Sequence, residues 1–424
     1  MPFLNASKEE IVAFDQVMDA FEDNEVMSKM LPQMKIDAQQ AQRTNDVLWV
    51  PEPYIMPVYT GMDQSANFAK IREQLAVPTS MAYNPSVPFS LDAIDLRDQI
   101  QDSRLGDGAR QALGSYVNQQ CINKMALWSS IVVKRTAAAA GFDDIAAIQI
   151  QLDEQGIQAD GRNFGLTSRD YLSAIGELGK RQDTQKDSAT MDAYTKAQVG
   201  DIAGMNGYRL PYSQYLAAAG GGAITTSTLD AAVQYFIPKA QVGVFPEIRN
   251  QDNRTQSLVV SATAGVKAGD SFTIANVFAC HHITKQSTPS LKTFKVISVV
   301  DGTHLLIAPP VISNQVASDS GEQYQNCVVS AKSATATITW LNTAAAYVNL
   351  FWHDNAVRLI PGRYALPADG GMQVLSATTK SGIQLVMTKQ AVIDTFKYKY
   401  RFDLKFGIDV LQPEMAGNIL FSQP

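Results

Sequence analysis

Phe294-Lys295-Val296-Ile297-Ser298-Val299-Val300-Asp301-Gly302-Thr303-His304-Leu305-Leu306-Ile307 decides how the chain is divided. Two aliphatic, β-branched runs flank Asp301-Gly302, a dipeptide that favours tight reversal, so the stretch reads as a β-hairpin. Outward from it, Ser257-Leu258-Val259-Val260-Ser261 and Ser271-Phe272-Thr273-Ile274 read as further short strands around Gly265 and Gly269-Asp270. From Ile224 to about Asn342, Thr, Ser and Val dominate and turn residues recur. The expectation is an all-β unit of roughly 120 residues, long enough to fold alone. Just before it, Ala217-Ala218-Ala219-Gly220-Gly221-Gly222 reads as a flexible junction.

The flanks have another period. Leu113, Val117, Cys121, Met125, Trp128 and Val132 form one apolar stripe at helical spacing. With Asp107 as N-cap and Gly141 as the residue after the C-cap, the pattern predicts one helix over about 107–140. At 1.5 Å per residue it would be roughly 50 Å long, which suits an elongated domain. Residues 142–219 are mostly helical in pattern, and a mixed pattern resumes after 342, ending in the alternating run Tyr400-Arg401-Phe402-Asp403-Leu404-Lys405-Phe406. The β unit is therefore an insertion in one discontinuous parent domain. Residues 47–75, entered through Trp49-Val50-Pro51-Glu52-Pro53, read as an extended excursion, because prolines confine a strand to edges. Tyr59-Thr60-Gly61-Met62-Asp63 is its turn.

The first thirty residues read as a helix ended by Pro32. Ser7 and Glu10 make a capping box, and Ile11, Phe14, Met18 and Phe21 make the apolar face. Asp15, Asp19 and Glu22 line the neighbouring stripe. Like charges four apart weaken an isolated helix, so the stripe is either a solvated face or a docking strip for a basic partner.

Hydrophobic residues make up 46% of the 424 and charged residues 18%. The charged share is below the usual quarter, which suits either a large core or a surface covered by partners. Net charge is −6 with no strongly basic run, which argues against sequence-specific nucleic-acid binding. Cys121, Cys280 and Cys327 stand far apart and are odd in number, so neither a disulfide framework nor a zinc site is expected and synthesis in a reducing cytoplasm is. No signal peptide and no apolar run of the ~18 residues a bilayer span needs is read. No cofactor is expected. His281 and His282 are adjacent and would point to opposite faces of a strand, a poor arrangement for a metal. Gly106-Asp107-Gly108 reads as a helix start, and no nucleophile-elbow or phosphate-loop motif is present.

Several stretches resemble the coat proteins of short-tailed phages of the Salmonella type. They are Gln42 to Pro51, Leu258 to Asp270, Val299 to Pro309, Asn349 to Ile360 and Gln412-Pro413-Glu414. They fall in the family's order across nearly the whole chain. The resemblance implies an α+β, Hong Kong 97-type capsid fold carrying an inserted small barrel. It divides the chain into an N-terminal arm (1–46), an extended loop (47–75), a peripheral domain with a long spine helix (76–141), a first part of the axial domain (142–222), the barrel (223–342) and an axial and peripheral return (343–424).

The same resemblance implies a non-enzymatic major capsid protein, made in the bacterial host cytoplasm and ending in the virion. Its partners would be further copies of itself as pentamers and hexamers of an icosahedral shell, a scaffolding protein, a portal protein and packaged double-stranded DNA held without sequence specificity, with no membrane. Asp15, Asp19 and Glu22 would receive the scaffold's basic segment. Glu247, Arg249, Asp252 and Arg254 would meet a neighbour across a two-fold axis. Tyr59, Gly61 and Asp63 would carry the extended loop's contacts. An encapsulin-like compartment shell is the alternative within the same parent fold. A secreted β-rich adhesin is opposed by the missing signal peptide and the long helix, and an enzyme has no supporting motif.

Overall fold

The computed structural model describes residues 14, 18, 21, 26–34, 47–53, 56–92, 99–180, 201–227, 234–244, 247–315, 318–364, 372–395 and 397–424. It divides into two compact units. One comprises 1–48, 79–124 and 358–409, the other 49–78, 125–357 and 410–424.

The first unit is built on a four-stranded antiparallel sheet in the order Gln373–Thr378, Gln384–Val392, Lys397–Leu404, Ser86–Asp92. The alternating run supplies the end of the third of these strands, with Tyr400, Phe402 and Leu404 buried, and its Phe406 opens the next strand, Phe406–Val410. Phe89 stacks on Tyr400 at 5.2 Å between centroids. The long helix contributes Leu113, Val117, Cys121 and Ile122, all at most 2% exposed. Asn118 on it accepts the amide of Met27 at 3.0 Å. Phe14, Met18 and Phe21 are helical and buried, and the helix Val26–Met30 stops before Pro32. Ser7, Glu10 and Ile11 lie outside the described residues.

The long helix spans Gln99–Trp128, not 107–140. Two effects displaced its expected end. Ser129 turns its hydroxyl back onto the Met125 carbonyl at 2.6 Å, and Ser130 bonds the Pro413 carbonyl at 2.7 Å. The β-branched Ile131-Val132-Val133 then runs as a strand, Ile131–Lys134, parallel to Ala416–Leu420. Val132 continued the helical stripe only by coincidence of spacing. Gly141 sits at φ +87° as the N-cap of the next helix, Phe142–Glu154.

In the second unit a six-stranded sheet runs Ile131–Lys134, Ala416–Leu420, Asn349–His353, Arg162–Leu166, Met205–Arg209, Asp201–Ile202. The helices Phe142–Glu154 and Ser168–Lys180 pack Ile145, Ile148, Leu152, Tyr171 and Ile175 into one core with Phe164, Phe351 and Ile419. Residues 142–219 thus mix these helices with strands. At Gly417 a side-chain carbon would lie 2.0 Å from the Phe351 ring, so only glycine admits that ring between the strands.

The inserted unit is a closed barrel. Its strands run Gln256–Val259, His304–Ala308, Ser287–Val299, Ser271–Cys280, Thr337–Trp340, Ile224–Thr225, with Cys327–Val329 on the edge of Ser271–Cys280. A bridge between Thr226 and Val260 joins the last strand to the first. Phe272, Phe294 and Trp340 fill the interior, with Phe272 5.7 Å from Phe294 and 5.6 Å from Trp340. The hairpin lies where the sequence put it, pairing Val296 with Ile307 and Val299 with Leu305. Its turn is made by the Asp301 carboxylate, which accepts the amides of Thr303 at 2.7 Å and His304 at 2.8 Å. Gly302 is not among the glycines in the left-handed region.

The junction before the barrel is packed. A side-chain carbon on Gly220 would lie 2.7 Å from the Gly265 carbonyl, and one on Gly221 2.6 Å from the Trp340 ring. Gly220 and Gly221 permit close approach, while Gly222 faces open space. The two connectors run side by side, since Ala219 donates to the Asn342 carbonyl at 2.8 Å and the Asn342 amide donates to Ala217 at 3.1 Å and Asp270 at 2.9 Å.

Candidate assembly surfaces and the polar junction

The strands Val47–Pro51 and Ala76–Ser80 pair at the base of the extended loop. At its tip Gly61 takes φ +115°, and its carbonyl accepts Gln64 Nε2 at 2.7 Å. Asp63 Oδ1 accepts the Ser65 amide at 3.0 Å, leading into the short helix Ser65–Phe68. That hydrogen bond holds the Asp63 carboxyl below its usual range. Tyr59 is half-buried, and its hydroxyl accepts Lys70 Nζ at 3.2 Å and an Arg72 guanidinium nitrogen at 3.0 Å. Around this tied backbone Val58 is 82% exposed, Met62 105% and Phe68 88%.

Glu247 and Arg249 lie in the hairpin of Gln241–Val244 and Glu247–Asn250, where Glu247 pairs with Val244 and Arg249 with Val242. Arg249 is exposed. Asp252 and Arg254, grouped with them by sequence, form an internal clamp. Arg254 is only 6% exposed and pairs with Asp252 at 2.9 Å. It also donates to the carbonyls of Val410 at 2.8 Å and Pro78 at 3.2 Å, and lies 4.7 Å over the Trp128 ring. Its donors are spent inside the subunit. Asp15, Asp19 and Glu22 lie outside the described residues.

A buried polar junction that the sequence did not reveal joins the barrel to the six-stranded sheet. One barrel strand supplies most of it. Ser290 meets Gln151 and Glu154, and Thr293 donates to the Ser130 carbonyl at 2.7 Å. Lys292, 4% exposed, pairs with Glu414 at 2.9 Å. Lys295, 1% exposed, donates to the Ala126 carbonyl in the last turn of the long helix. Asn326 donates to Glu414 at 2.6 Å, and His282 Nε2 stands 3.5 Å from it.

The electrostatics follow from burial and pairing. Burial by itself would raise the Glu414 carboxyl, but Lys292, His282 and the hydrogen bonds from Lys292 and Asn326 hold it below its ordinary value. Burial pushes His282 down to about 4, against the pull of Glu414, so the ring is neutral near pH 7. Burial lowers the Lys295 ammonium to about 7, opposed by Asp270. Burial, reinforced by the Glu414 and Asp252 charges and opposed by Arg254, lifts Glu52 to about 7. In the sequence this junction shows as the polar residues inside Ser290-Leu291-Lys292-Thr293-Phe294-Lys295 and as the adjacent pair His281-His282, a poor arrangement for a metal. His281 packs instead against Gly156, and the His282 amide donates to the Gln155 carbonyl at 2.9 Å. Among the described residues no group of three or more His, Cys, Asp or Glu is placed to hold a metal, and no described helix is long and apolar enough to cross a membrane.

Among solved structures, the chain is similar to "Mycobacterium phage Che8", with a TM-score of 0.43 and 10% identity over 93% of this chain and 90% of that one. It is similar to "Capsid structure of the Cyanophage P-SCSP1u", with a TM-score of 0.41 and 8% identity over 92% and 86%. It is also similar to "CUS-3 coat protein I-domain", 32% identical over 28% of this chain and 96% of that one, with a TM-score of 0.23. The family model described as P22 coat protein, gene protein 5, matches residues 3–422. That match runs unbroken through the extended loop, the long helix, the barrel and the final strands, and so the chain belongs to the P22 coat protein family.

Proposed function

We propose that this capsid protein assembles with a separate scaffolding protein into an icosahedral procapsid of a tailed double-stranded DNA phage and matures to the genome-containing head. The observation that carries the reading is the family match over residues 3–422, barrel included. Coat-protein membership makes the chain a shell-forming subunit of a virion with the Hong Kong 97-type fold of its family. An encapsulin-like compartment shell is the second reading.

The finer parts are these. Residues 1–46 form an arm whose Asp15, Asp19 and Glu22 dock a basic scaffold segment by Coulomb attraction, which salt weakens. Residues 47–75 form the loop that overlaps a neighbour through Tyr59, Gly61, Asp63 and the apolar side chains beside them. Glu247, Arg249 and the part-exposed Asp252 meet a neighbour across a two-fold axis, with Arg254 held inside the subunit by Asp252, Val410 and Pro78. Residues 76–141 and part of 343–424 form the peripheral domain, and 142–222 with the rest of 343–424 the axial domain, interrupted by the barrel at 223–342. Portal and packaged DNA are the remaining partners, the latter without sequence specificity. The subunit is made in the bacterial cytoplasm and does no chemistry on a substrate. Its work is mechanical, through many weak contacts that can correct errors.

Expression with and without the scaffolding protein, followed by negative-stain microscopy, tests the reading. Uniform closed shells are expected with scaffold and aberrant particles without. A monomer that stays unassembled under every condition would overturn it.

A further inference from the structure

We propose that Gln323 and Tyr324 are positioning residues for the extended loop, serving as a surrogate strand that aims its returning limb before another subunit covers it. This rests on the reading of residues 47–75 as an inter-subunit loop. Ile71, Glu73 and Leu75 are alternate residues of that limb. The amide of each is met by a side chain of the single helical segment Asp319–Tyr324. Ile71 donates to Asp319 Oδ2 at 2.9 Å, Glu73 to Gln323 Oε1 at 3.3 Å and Leu75 to the Tyr324 hydroxyl at 3.3 Å. The Glu73 carbonyl in turn accepts Gln323 Nε2 at 3.1 Å and the Tyr324 hydroxyl at 2.8 Å.

A side-chain amide carries one acceptor and two donors, so Gln323 gives Glu73 what a neighbouring peptide group would give it in a sheet. Gln323 is fully buried and Tyr324 8% exposed, packed with Leu75 and Ile312. Buried backbone groups need partners, and here the barrel supplies them without a strand. Two further ties fix the same limb. The Glu73 carboxylate accepts the Ala240 amide at 2.8 Å, and Lys70 pairs with Glu322 at 2.7 Å. The loop's root is thus set by the barrel of its own subunit, and a neighbour meets a limb already aimed, which reduces the ordering cost of association.

The test is amide hydrogen exchange on the full chain, kept unassembled at low concentration. Wild type should protect Glu73 and Leu75. The double variant Gln323→Leu/Tyr324→Phe keeps both side-chain volumes and removes the polar atoms. It should speed exchange at Glu73 and Leu75 by roughly 10- to 100-fold, with Phe272 and Val296 in the barrel unchanged. Asp319→Ala, at the solvent edge, should speed Ile71 alone, and keeps the proposal testable if the double variant loses its barrel. Unprotected Glu73 and Leu75 in wild type, or unchanged rates in both variants, would overturn the proposal. Failure of the underlying loop reading looks different: the limb is freed, yet shells form as in wild type.

Discussion

Glu414 and Lys292 are the clearest case of two residues that need each other. Lys292 is buried and Glu414 nearly so, and their ion pair is what holds the Glu414 carboxyl below its ordinary value despite its burial. Glu414→Ala leaves an ammonium without its counter-charge and should cost about 3–5 kcal/mol of unfolding free energy, whereas Glu414→Leu/Lys292→Met should recover most of it. Urea titration of the four corners of that cycle measures the coupling. Glu52 behaves oppositely. Its folded pKa of about 7 lies above the ordinary 4.5, so the folded state binds more protons between those values and loses stability as pH rises through them. Glu52→Gln should match wild type near pH 4 and exceed it near pH 8 by about 1–3 kcal/mol. The sign reverses for His282, whose folded pKa of about 4 lies below 6.5. Its contribution is complete above pH 6.5 and lost as pH falls toward 4, so His282→Asn should flatten the acid limb of the stability curve. Cys280 and Cys327 are buried, which pushes both thiols up, Cys280 to about 11. A disulfide reagent should modify them slowly in the folded chain and at once in denaturant.

At the scale of elements, the all-β insertion was legible because hairpin chemistry and composition changed together at 224 and 342. The hairpin at 294–307 forms as expected, with a register shift between Val296 and Ser298. The end of the long helix was not legible. Helical spacing ran on through Val132, while the stop came from serines bonding back to carbonyls, one of them the remote Pro413. Gly220 and Gly221 misled in the same way, since their reason is the approach of Gly265 and Trp340 from elsewhere in the chain. The polar junction around Glu414 was illegible for a related cause. Its members come from residues 282, 292, 326 and 414, and local pattern carries nothing about such a meeting. Phe272 shows what the barrel rests on, with no exposure and two aromatic neighbours. Phe272→Ala should cost about 3–5 kcal/mol, read as a lowered melting temperature of the full chain.

For the whole molecule, a coat protein must be stable alone and adhesive in company. Val58, Met62 and Phe68 are too exposed to add much to the stability of the isolated subunit, and under the proposed loop contact they are the side chains a neighbour would cover. Arg249→Glu should change the monomer's unfolding free energy by about 0.5 kcal/mol or less, as surface changes do, and lower the yield of closed shells. Sedimentation of assembly reactions would register the loss. Undiminished yield would remove Arg249 from the proposed two-fold contact.

The paired connectors at Ala219 and Asn342 carry a consequence for ancestry and for engineering. A module whose entrance and exit touch is spliced into its host at a single point, like a pendant on a ring. An ancestral tile could gain it without redrawing the host's own path, and a foreign domain with adjacent termini fits the same gap. Such a graft would inherit the attachment point but not Lys292, Lys295 or Tyr324, and those must be rebuilt for the transplant to steer the tile as well as hang from it.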